Sequence, residues 1–322
     1  MKDRLFAGFA RDVATTLRVP ALVLALAWPV STPAAGLEWI DAPDGVPLCL
    51  FEAGREDGPP LVLIHGFSQS HAVFKRQFQS SLAEDFRLIA FDLRGHGCSG
   101  KPWLESAYVD SATWAADVRA VLEARHVHEP IIIGWSFGAY VVADYVRAYG
   151  TRDLAGAILV GSTAGLLPAE RDEFAKRQSD YVAPVPPPAE LELERSIRNA
   201  RSFVGMMSHA PLPADMKEIM FVANQQLPEY ARRALIKRRF QNEDLVDRFD
   251  VPTLFLAGAM DRSNAPEVIQ SVATGLPHAR AGSIAGTGHS PFAEDPEQFN
   301  AEVRGFAAAV SPSSRAAAPA SR

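Results

Sequence analysis

Apolar runs of strand length alternate along the chain with segments whose apolar residues recur every three or four positions. The runs contain few polar residues, which is typical of strands buried on both faces of a parallel sheet. Helix periodicity lies between them, for example over residues 112–126 and 139–149. Two shorter runs flank Asp44-Gly45 and predict a hairpin. The repetition predicts an α/β fold with a doubly wound, mostly parallel sheet of about eight strands. The buried runs are residues 61–65, 86–92, 130–134, 155–161 and 252–258, and the hairpin runs are 37–40 and 46–51.

One long region departs from this alternation. Residues 163–249, called the insertion below, contain no strand-like run. A Pro-rich stretch at 183–188 predicts a stiff linker, and helix-like segments follow it. Because structureless loops of this length are uncommon in compact domains, we interpret the insertion as a helical lid placed before the penultimate strands. Its helix-like segments are residues 190–207, 213–224 and 228–248.

The first 35 residues have the order of a secretory signal peptide, with a basic region, an apolar run at 19–30 and small residues before Gly36. The apolar run is too short to span a bilayer comfortably, so no stable membrane span is expected after processing. Asp3 and Asp12 dilute the basic charge, which leaves an N-terminal extension as the alternative. We therefore predict a secreted or periplasmic protein, with a cytoplasmic location as the alternative. The basic residues are Lys2, Arg4, Arg11 and Arg18.

These patterns divide the chain into parts with different expected roles. Residues 1–35 are the predicted signal peptide or extension, 36–162 and 250–310 the α/β core, and 163–249 the lid. Residues 311–322 lack apolar periodicity and are predicted to be a disordered tail. The length of 322 residues, 48% of them hydrophobic, is enough for one large core with an appended subdomain.

The charge balance excludes one class of partner. Charged residues make up 22% of the chain and the formal net charge is -6, which gives no electrostatic reason to expect nucleic acid. The sequence also lacks the glycine-rich loops that bind phosphates in nucleotide-binding proteins. We therefore expect a small-molecule substrate, no cofactor and no metal.

Cys49 and Cys98 are the two cysteines of the sequence. Cys49 lies in an apolar run and is expected to be a small buried hydrophobe. Cys98 lies in a Gly-rich turn, where it can be more exposed. Nothing in the sequence brings the two sulfur atoms to bonding geometry, so a disulfide between them is not expected.

The strongest chemical signal is Gly134-Trp-Ser-Phe-Gly138, directly after a predicted strand and directly before a predicted helix. A tight turn of this kind forces its serine into strained backbone angles, so small flanking residues are needed, and the two glycines supply them. The helix N-terminus beneath Ser136 offers unpaired N–H groups to a developing oxyanion. Ser136 is therefore the candidate nucleophile.

A serine hydroxyl needs a general base, and the base needs a group that orients it. In this architecture the chain order is serine, then an acid, then histidine. Asp261 follows the last long strand, and His289 lies in a Gly-rich loop before a helix. Both positions fall at the carboxyl edge of the predicted sheet, where open α/β sheets hold their sites. Taken singly, Asp261 could cap a helix and His289 could be an exposed loop residue, but the matching order favours a catalytic triad.

An oxyanion hole requires two N–H donors. The amide of Phe137, directly after the nucleophile, is the first candidate. His65-Gly66-Phe67 ends an earlier strand and offers the Phe67 amide as the second. We expect His65 to pack and hydrogen-bond within the loop rather than to act as a base.

Together these motifs resemble the α/β-hydrolase superfamily, in its serine-nucleophile, esterase- and perhydrolase-like branch, over residues 37–310. The resemblance implies that Asp92–Ser99 is a structural loop that braces the nucleophile turn, and that His96 fixes this loop rather than catalyses. Departures are small, since Ala139 stands where many relatives carry a third glycine and Cys98 occupies a variable position. The matching motifs are His65-Gly66-Phe67, Asp92-Leu-Arg-Gly-His-Gly-Cys-Ser99, Gly134-Trp-Ser-Phe-Gly138, Asp261 and Gly288-His289.

Serine at the turn narrows the implied reaction. Epoxide hydrolases and haloalkane dehalogenases are similar elsewhere but carry an aspartate there, whereas Ser136 implies attack on an acyl carbon and an acyl-enzyme intermediate. The leading hypothesis is hydrolysis of a carboxylic ester or lactone of a small apolar substrate. The alternatives are a cofactor-free perhydrolase of the haloperoxidase type, a carbon-carbon bond hydrolase, and a ligand receptor without turnover.

Apolar residues of the insertion, together with Trp135, are candidates for substrate contacts. Each of them could instead pack the lid on the core. A basic cluster near the end of the insertion has acidic neighbours and is expected to form a solvated helix face. The substrate-binding candidates are Trp135, Phe203, Met207 and Phe221, with Met206, Met220, Leu227 and Tyr230 as further apolar positions, and the basic cluster is Arg232, Arg233, Lys237, Arg238 and Arg239.

Overall fold

The computed structural model describes residues 36–167 and 192–311. The predictions for residues 1–35, for the Pro-rich stretch at 183–188 and for the tail beyond residue 311 lie outside the described residues.

Eight strands form one sheet. Their bounds are β1 Gly36–Asp41, β2 Pro47–Gly54, β3 Pro60–Ile64, β4 Arg87–Phe91, β5 Ile131–Trp135, β6 Gly156–Val160, β7 Thr253–Gly258 and β8 Ala279–Ile284. Across the sheet they follow the order β1, β2, β4, β3, β5, β6, β7, β8. β2 pairs antiparallel with both β1 and β4, and the other neighbours are parallel. The predicted α/β fold with a mostly parallel sheet of eight strands is confirmed.

Helices connect the parallel strands. In the described residues they are α1 Lys75–Phe78, α2 Leu82–Asp85, α3 Ser106–Val109, α4 Ser111–Ala124, α5 Phe137–Tyr149, α6 Glu192–Met206, α7 Ala214–Gln226, α8 Glu229–Leu235, α9 Pro266–Gly275, α10 Pro291–Glu294 and α11 Pro296–Val310. Short 3-10 segments lie at His71–Phe74 and Glu243–Arg248. None of the helices in this part of the chain has the length and apolar character that crossing a bilayer requires.

Both faces of the sheet are covered, which explains the continuous apolar runs. In β3, Val62 and Ile64 belong to one buried cluster, and Leu61 and Leu63 belong to the other. The first cluster is completed by side chains of α4, α5 and α9, and the second by side chains of α11. A strand with helices on both faces has no solvent face, so its sequence does not alternate between apolar and polar residues.

The strands at one edge of the sheet were predicted from the sequence, and the strand at the other edge was not. The β1–β2 hairpin is found as expected, and its turn needs Gly45, which has a φ of +80°. At the opposite edge, β8 was not located from the sequence. Only Ile284 of its residues is buried, so it lacks the apolar run that marks the interior strands.

The insertion lies between β6 and β7 and contributes α6, α7 and α8. The first two helices lie close to the segments predicted at 190–207 and 213–224. The third prediction is wrong, because α8 ends at Leu235 instead of continuing to residue 248. Three residues after α8, the side chain of Arg238 is buried at 4% relative exposure, so the chain here is no longer a surface helix.

Arg238 also contradicts the expectation that the basic cluster forms a solvated face. Its Nη2 donates to Asp144 of α5 at 2.5 Å, and both side chains are 1% exposed. The guanidinium lies 5.1 to 5.6 Å from the ring centroids of Trp114, Phe137 and Phe240. Burial raises the pKa of Asp144 to about 6, although the charge of Arg238 acts to lower it. Of the other members, Arg232 is partly buried, and Arg233, Lys237 and Arg239 are exposed.

The third correction concerns the cysteines, since Cys49 and Cys98 form a disulfide with their Cα atoms 5.6 Å apart. Cys49 is fully buried in β2, whereas Cys98 is exposed in the loop after β4. The pairing of β2 with β4 brings the two residues together, and sequence alone could not supply that proximity. Closing a loop of this size contributes about 4 kcal/mol in the chain-entropy model.

Removing the charge of Arg238 should strongly destabilise the protein. We expect Arg238→Ala to lower the free energy of unfolding by about 3–5 kcal/mol, because Asp144 is left as an unpaired buried carboxyl. Urea denaturation followed by circular dichroism measures this change. The matched control is Arg239→Ala at an exposed position, which should stay within about 0.5 kcal/mol of wild type. Equal stability of the two variants would contradict the buried ion pair.

Candidate active site

Ser136 occupies the turn between β5 and α5 in a strained conformation. Its φ and ψ are 52° and -113°, a region that residues with a side chain rarely adopt. A Cβ atom on Gly134 would lie 2.6 Å from the carbonyl oxygen of Gly138, so the turn accepts no larger residue there. The backbone N–H of Ser136 donates to Val160 of β6 at 2.9 Å. Local sequence and sheet pairing together fix the serine at the carboxyl edge of the sheet.

Asp261 and His289 form a buried pair at the same edge. Nδ1 of His289 lies 2.8 Å from Oδ2 of Asp261, and the side chains are 3% and 0% exposed. The other carboxylate oxygen accepts the backbone N–H groups of Ser263 at 2.7 Å and Asn264 at 3.3 Å. With Nδ1 donating to the carboxylate, Nε2 of His289 is the nitrogen that can accept a proton.

Gly161 lies between the pair of His289 and Asp261 and the strand residue that holds Ser136. A Cβ atom on Gly161 would lie 3.1 Å from Nδ1 of His289 and 3.2 Å from Oδ2 of Asp261. Gly161 directly follows Val160, to which Ser136 is hydrogen-bonded. No hydrogen bond joins the Ser136 hydroxyl to the His289 ring within the described residues. Such bonds between nucleophile and base often tighten only when substrate is bound.

Trp135 is buried beneath His289. Its side chain is 1% exposed, and its Nε1 donates to the backbone carbonyl of His289 at 2.7 Å. Its ring contacts Phe292 with centroids 4.8 Å apart. Trp135 therefore supports the histidine loop, and its contact with substrate stays a prediction.

The candidate oxyanion loop, residues 65–71, runs beside the serine. A Cβ atom on Gly66 would lie 3.2 Å from Cβ of Ser136, so the loop passes directly against it. The rings of Phe67 and Phe137 lie 6.3 Å apart. In the described part of the chain, neither of their backbone N–H groups has an acceptor. Two unpaired N–H donors beside the candidate nucleophile Ser136 fit the requirement for stabilising an oxyanion.

Two buried histidines support this loop. Nδ1 of His65 bonds the Gly66 carbonyl at 2.8 Å, and its Nε2 accepts the Leu93 N–H at 3.0 Å. The ring of His96 lies 5.1 Å from that of His65, and its Nδ1 bonds the Arg94 carbonyl at 3.0 Å. Burial lowers the pKa of His65 to about 4 and that of His96 to about 3. Both rings are therefore neutral at pH 7 and hold their loops by local hydrogen bonds.

The candidates from the insertion divide between the site and the core. Phe203 is partly buried, and its ring lies 6.3 Å from that of Phe67 in the candidate oxyanion loop. Met207 is buried, and Phe221 packs partly buried against the same apolar cluster. For the further positions, Met206 is 59% exposed, Met220 and Leu227 are buried in the core, and Tyr230 stacks on Trp103.

Glu294 is a residue of the site that the sequence interpretation missed. Its Oε1 accepts the N–H groups of Gly288 at 2.9 Å and Ser290 at 3.3 Å, on either side of His289. Its Oε2 accepts the N–H of His209 in the insertion at 2.7 Å. One carboxylate therefore ties the histidine loop to the insertion. An acidic residue in the helical turn after the loop was the signal that could have found it.

One group of possible metal ligands lies close together in the described residues, namely Cys49, Asp92 and Cys98. Both sulfur atoms belong to the disulfide, so neither is available as a thiolate ligand in this state.

Comparison with known proteins assigns the chain to the hydrolase class of enzymes. The chain belongs to the alpha/beta hydrolase family, whose model matches residues 61–302. The solved structure of the esterase RhEst1 from Rhodococcus sp. ECU1013 is similar, with 33% identity and a TM-score of 0.72, covering 85% of this chain and 99% of that chain.

Two curated relatives extend the comparison. Pimeloyl-(acyl-carrier protein) methyl ester esterase of Stenotrophomonas maltophilia is 30% identical over 270 residues, which are 79% of this chain and 95% of the relative. The non-heme chloroperoxidase of Streptomyces lividans is 29% identical over 286 residues, which are 82% of this chain and 96% of the relative. The chain is thus similar to family members that are named for different activities.

Mild acid should destabilise the protein through the buried neutral histidines. An exposed histidine has a pKa of about 6.5, so the unfolded chain takes up protons before the folded chain as the pH falls. The free energy of unfolding should therefore decrease from about pH 6.5 towards pH 4. Urea denaturation at both ends of this range measures the change.

The variant His96→Asn tests how much His96 contributes to the loss of stability in mild acid. His96→Asn removes one titrating group, so its stability should depend less steeply on pH over the same range. His128→Asn, at an exposed position, is the control and should keep the wild-type dependence. If His96→Asn and wild type have the same pH dependence, His96 is not held neutral by burial.

Weakening the Glu294 contacts should reduce turnover by displacing the histidine loop. A glutamine keeps one oxygen but presents an amide NH₂ group to N–H groups that need an acceptor. We expect Glu294→Gln to lower kcat about tenfold with little change in KM, because His289, the candidate base, is displaced while the residues that would bind substrate are not. Steady-state hydrolysis assays measure both constants. Glu297→Gln, exposed on α11, is the control, and an unchanged kcat for Glu294→Gln would contradict this role.

Proposed function

We propose that this enzyme is a serine hydrolase that cleaves a carboxylic ester or lactone of a small apolar substrate through an acyl-enzyme intermediate. The observation that carries the proposal is the buried hydrogen bond between His289 and Asp261, located around Gly161 next to the strained Ser136 turn. A histidine that donates Nδ1–H to a carboxylate presents Nε2 as a general base. Similarity to esterases of the same family supports the same reaction class.

In the proposed first step, Nε2 of His289 removes the proton of the Ser136 hydroxyl while Oγ attacks the acyl carbon. The protonated histidine is stabilised by Asp261 and then gives its proton to the leaving alcohol. Water next attacks the acyl-enzyme with His289 again as base, which releases the acid and restores the serine. Such acid–base catalysis typically contributes about 10²–10⁴-fold to the rate.

The amides of Phe67 and Phe137 are the proposed oxyanion donors. Their N–H groups lack acceptors in the described residues, and fixed donors cost no reorganisation as negative charge develops. Ser136 lies at the N-terminus of α5, where the helix dipole favours the same charge. Donors of this kind lower the barrier in the transition state more than they strengthen substrate binding.

We propose that the insertion is a lid that shapes the acyl or alcohol pocket. Its Phe203 ring packs against Phe67, next to the proposed oxyanion hole, which supports an apolar substrate group on that side. Glu294 accepts hydrogen bonds from N–H groups of both the insertion and the histidine loop, so it holds the proposed lid and the proposed base in a fixed relative position. This arrangement supports substrate selection by the insertion.

Perhydrolysis is the second candidate, because the chain is 29% identical to a non-heme chloroperoxidase over 82% of its length. In that reaction hydrogen peroxide replaces water in the attack on the acyl-enzyme and gives a peracid. Peracid formation from acetate and peroxide, measured by bromination of a dye, distinguishes the two. A rate above that of ester hydrolysis would favour the perhydrolase.

We propose export to an oxidising compartment. The Cys49–Cys98 disulfide supports this location, because disulfides persist in secreted and periplasmic proteins and are rare in the cytosol. The signal-peptide pattern of residues 1–35 agrees with it. N-terminal sequencing of protein recovered outside the cytoplasm tests the proposal, and recovery of the whole protein from the cytosol would contradict it.

Substitution of the nucleophile tests the proposed reaction. We expect wild-type protein to release p-nitrophenol from short acyl esters, and Ser136→Ala to lower kcat by about 10³-fold or more. Ser271→Ala, on α9, is the matched control and should retain full turnover. A panel of esters of graded chain length then defines the acyl preference. Full turnover by Ser136→Ala would end the serine-hydrolase proposal.

A further inference from the structure

We propose that the Cys49–Cys98 disulfide positions the oxyanion loop, so that the oxidised enzyme turns over substrate and the reduced enzyme loses kcat rather than substrate affinity. This inference rests on the proposed function, because the loop matters through the Phe67 amide of that mechanism. The argument follows a chain of contacts from the sulfur atoms to the loop.

The first contacts join both half-cystines to Asp92. Oδ2 of Asp92 accepts the backbone N–H of Cys98 at 2.8 Å and lies 3.2 Å from its sulfur. The Asp92 N–H donates to the backbone carbonyl of Cys49 at 2.8 Å. Ser99 adds to this arrangement, since its hydroxyl donates to the Asp92 carbonyl and accepts the Cys49 N–H. The disulfide therefore fixes the position of a fully buried carboxylate.

The second contacts join Asp92 and its neighbour to both ends of the oxyanion loop. Oδ1 of Asp92 accepts the backbone N–H of His71 at 2.6 Å and lies 2.9 Å from Nδ1 of the same residue. Leu93 donates its N–H to His65 at 3.0 Å. Phe67 lies between these two anchored residues, so the direction of its amide depends on where residues 92 and 93 lie. Burial acts to raise the pKa of Asp92, but the hydrogen bonds and charge of His71 lower it to about 2.

Reduction would begin at the accessible sulfur. Cys98 is exposed and lines a cleft of about 560 Å³ together with His71 and Asp92, whereas Cys49 is fully buried. A thiolate of a small dithiol attacks the Cys98 sulfur, the S–S bond breaks, and Cys49 leaves as a thiolate that takes up a proton. The second thiolate of the reagent then attacks the mixed disulfide and releases Cys98. Two electrons pass to the protein, and the dithiol becomes a cyclic disulfide.

Breaking this bond separates the two sulfur atoms, because unbonded sulfur atoms cannot stay at covalent distance, and we infer that one of the two segments shifts as they part. Cys49 is held in β2 between two neighbouring strands, while Cys98 lies in an exposed turn. The Cys98 turn is therefore the part that shifts, and it takes with it the N–H that holds Oδ2 of Asp92. The strand pairing does not depend on the bridge, so we expect the reduced protein to remain folded with a less ordered oxyanion loop.

The experiment compares oxidised wild type, wild type reduced with dithiothreitol, and the double variant Cys49→Ala/Cys98→Ser. Thiol titration before each assay establishes the redox state. We expect reduction to lower kcat for p-nitrophenyl acetate about tenfold or more while KM changes less than twofold, because oxyanion donors act in the transition state. The double variant should show the same loss with or without dithiothreitol. Reoxidation of the wild type should restore its kcat.

A stability control separates positioning from general destabilisation. Phe306→Leu lies near Gly156, at the end of β6 away from the site, and should lower stability without lowering kcat. Hydrogen exchange supplies a readout independent of turnover, because the His71 amide is protected by Asp92 and should exchange faster once the bridge is reduced.

The results that would overturn this inference differ from those that would overturn the proposed function. Two titrated thiols with an unchanged kcat would overturn the inference, as would unchanged His71 exchange or an equal loss of kcat in Phe306→Leu. Absence of ester turnover in the oxidised wild type would instead overturn the proposed function. In that case the His71 exchange rate alone decides whether the disulfide positions the loop.

Discussion

The parallel pairing of β5, β6 and β7 is the constraint on which the rest of the site depends. It sets the ends of these strands side by side, so that the turn of Ser136, the backbone of Gly161 and the loop of Asp261 meet at one edge. Gly161 at the centre has no side chain, and a Cβ atom there would press on both His289 and Asp261. Residues that are distant in sequence are thus brought together by the sheet register and by a glycine at position 161, where a side chain would not fit.

Much of this arrangement could be predicted, because it is encoded locally. Continuous apolar runs mark strands with two buried faces, and a serine between two glycines marks a turn too tight for larger neighbours. Features that depend on tertiary proximity were missed. Strand β8 has only one buried residue and no apolar run, and the pairing of Cys49 with Cys98 exists only after β2 has paired with β4. Trp135, placed beside the nucleophile in sequence, lies beneath the histidine in the fold.

The site is supported by residues that no catalytic motif includes. Glu294 holds the backbone on either side of His289, while His65 and Asp92 hold opposite ends of the oxyanion loop. These side chains bond mainly to backbone N–H and carbonyl groups. Because nearly every residue has such groups, the sequence does not reveal which residues are their partners. The same energetic argument applies to each of them. A buried polar group whose hydrogen bonds are all satisfied destabilises the fold little, and it fixes the orientation of the groups to which it is bonded.

The buried pair of Arg238 and Asp144 changes where the functional boundary of the insertion lies. Arg238 comes from the insertion by chain position, yet its charge neutralises a carboxylate in the helix that begins at the nucleophile turn. A segment grafted here from another family member would leave that carboxylate isolated unless it supplied a cation at the same place. The part of the insertion that could be replaced by another sequence therefore ends before Arg238. The residues from Arg238 to β7 belong with the α/β core and would have to be kept in any variant designed for a different substrate.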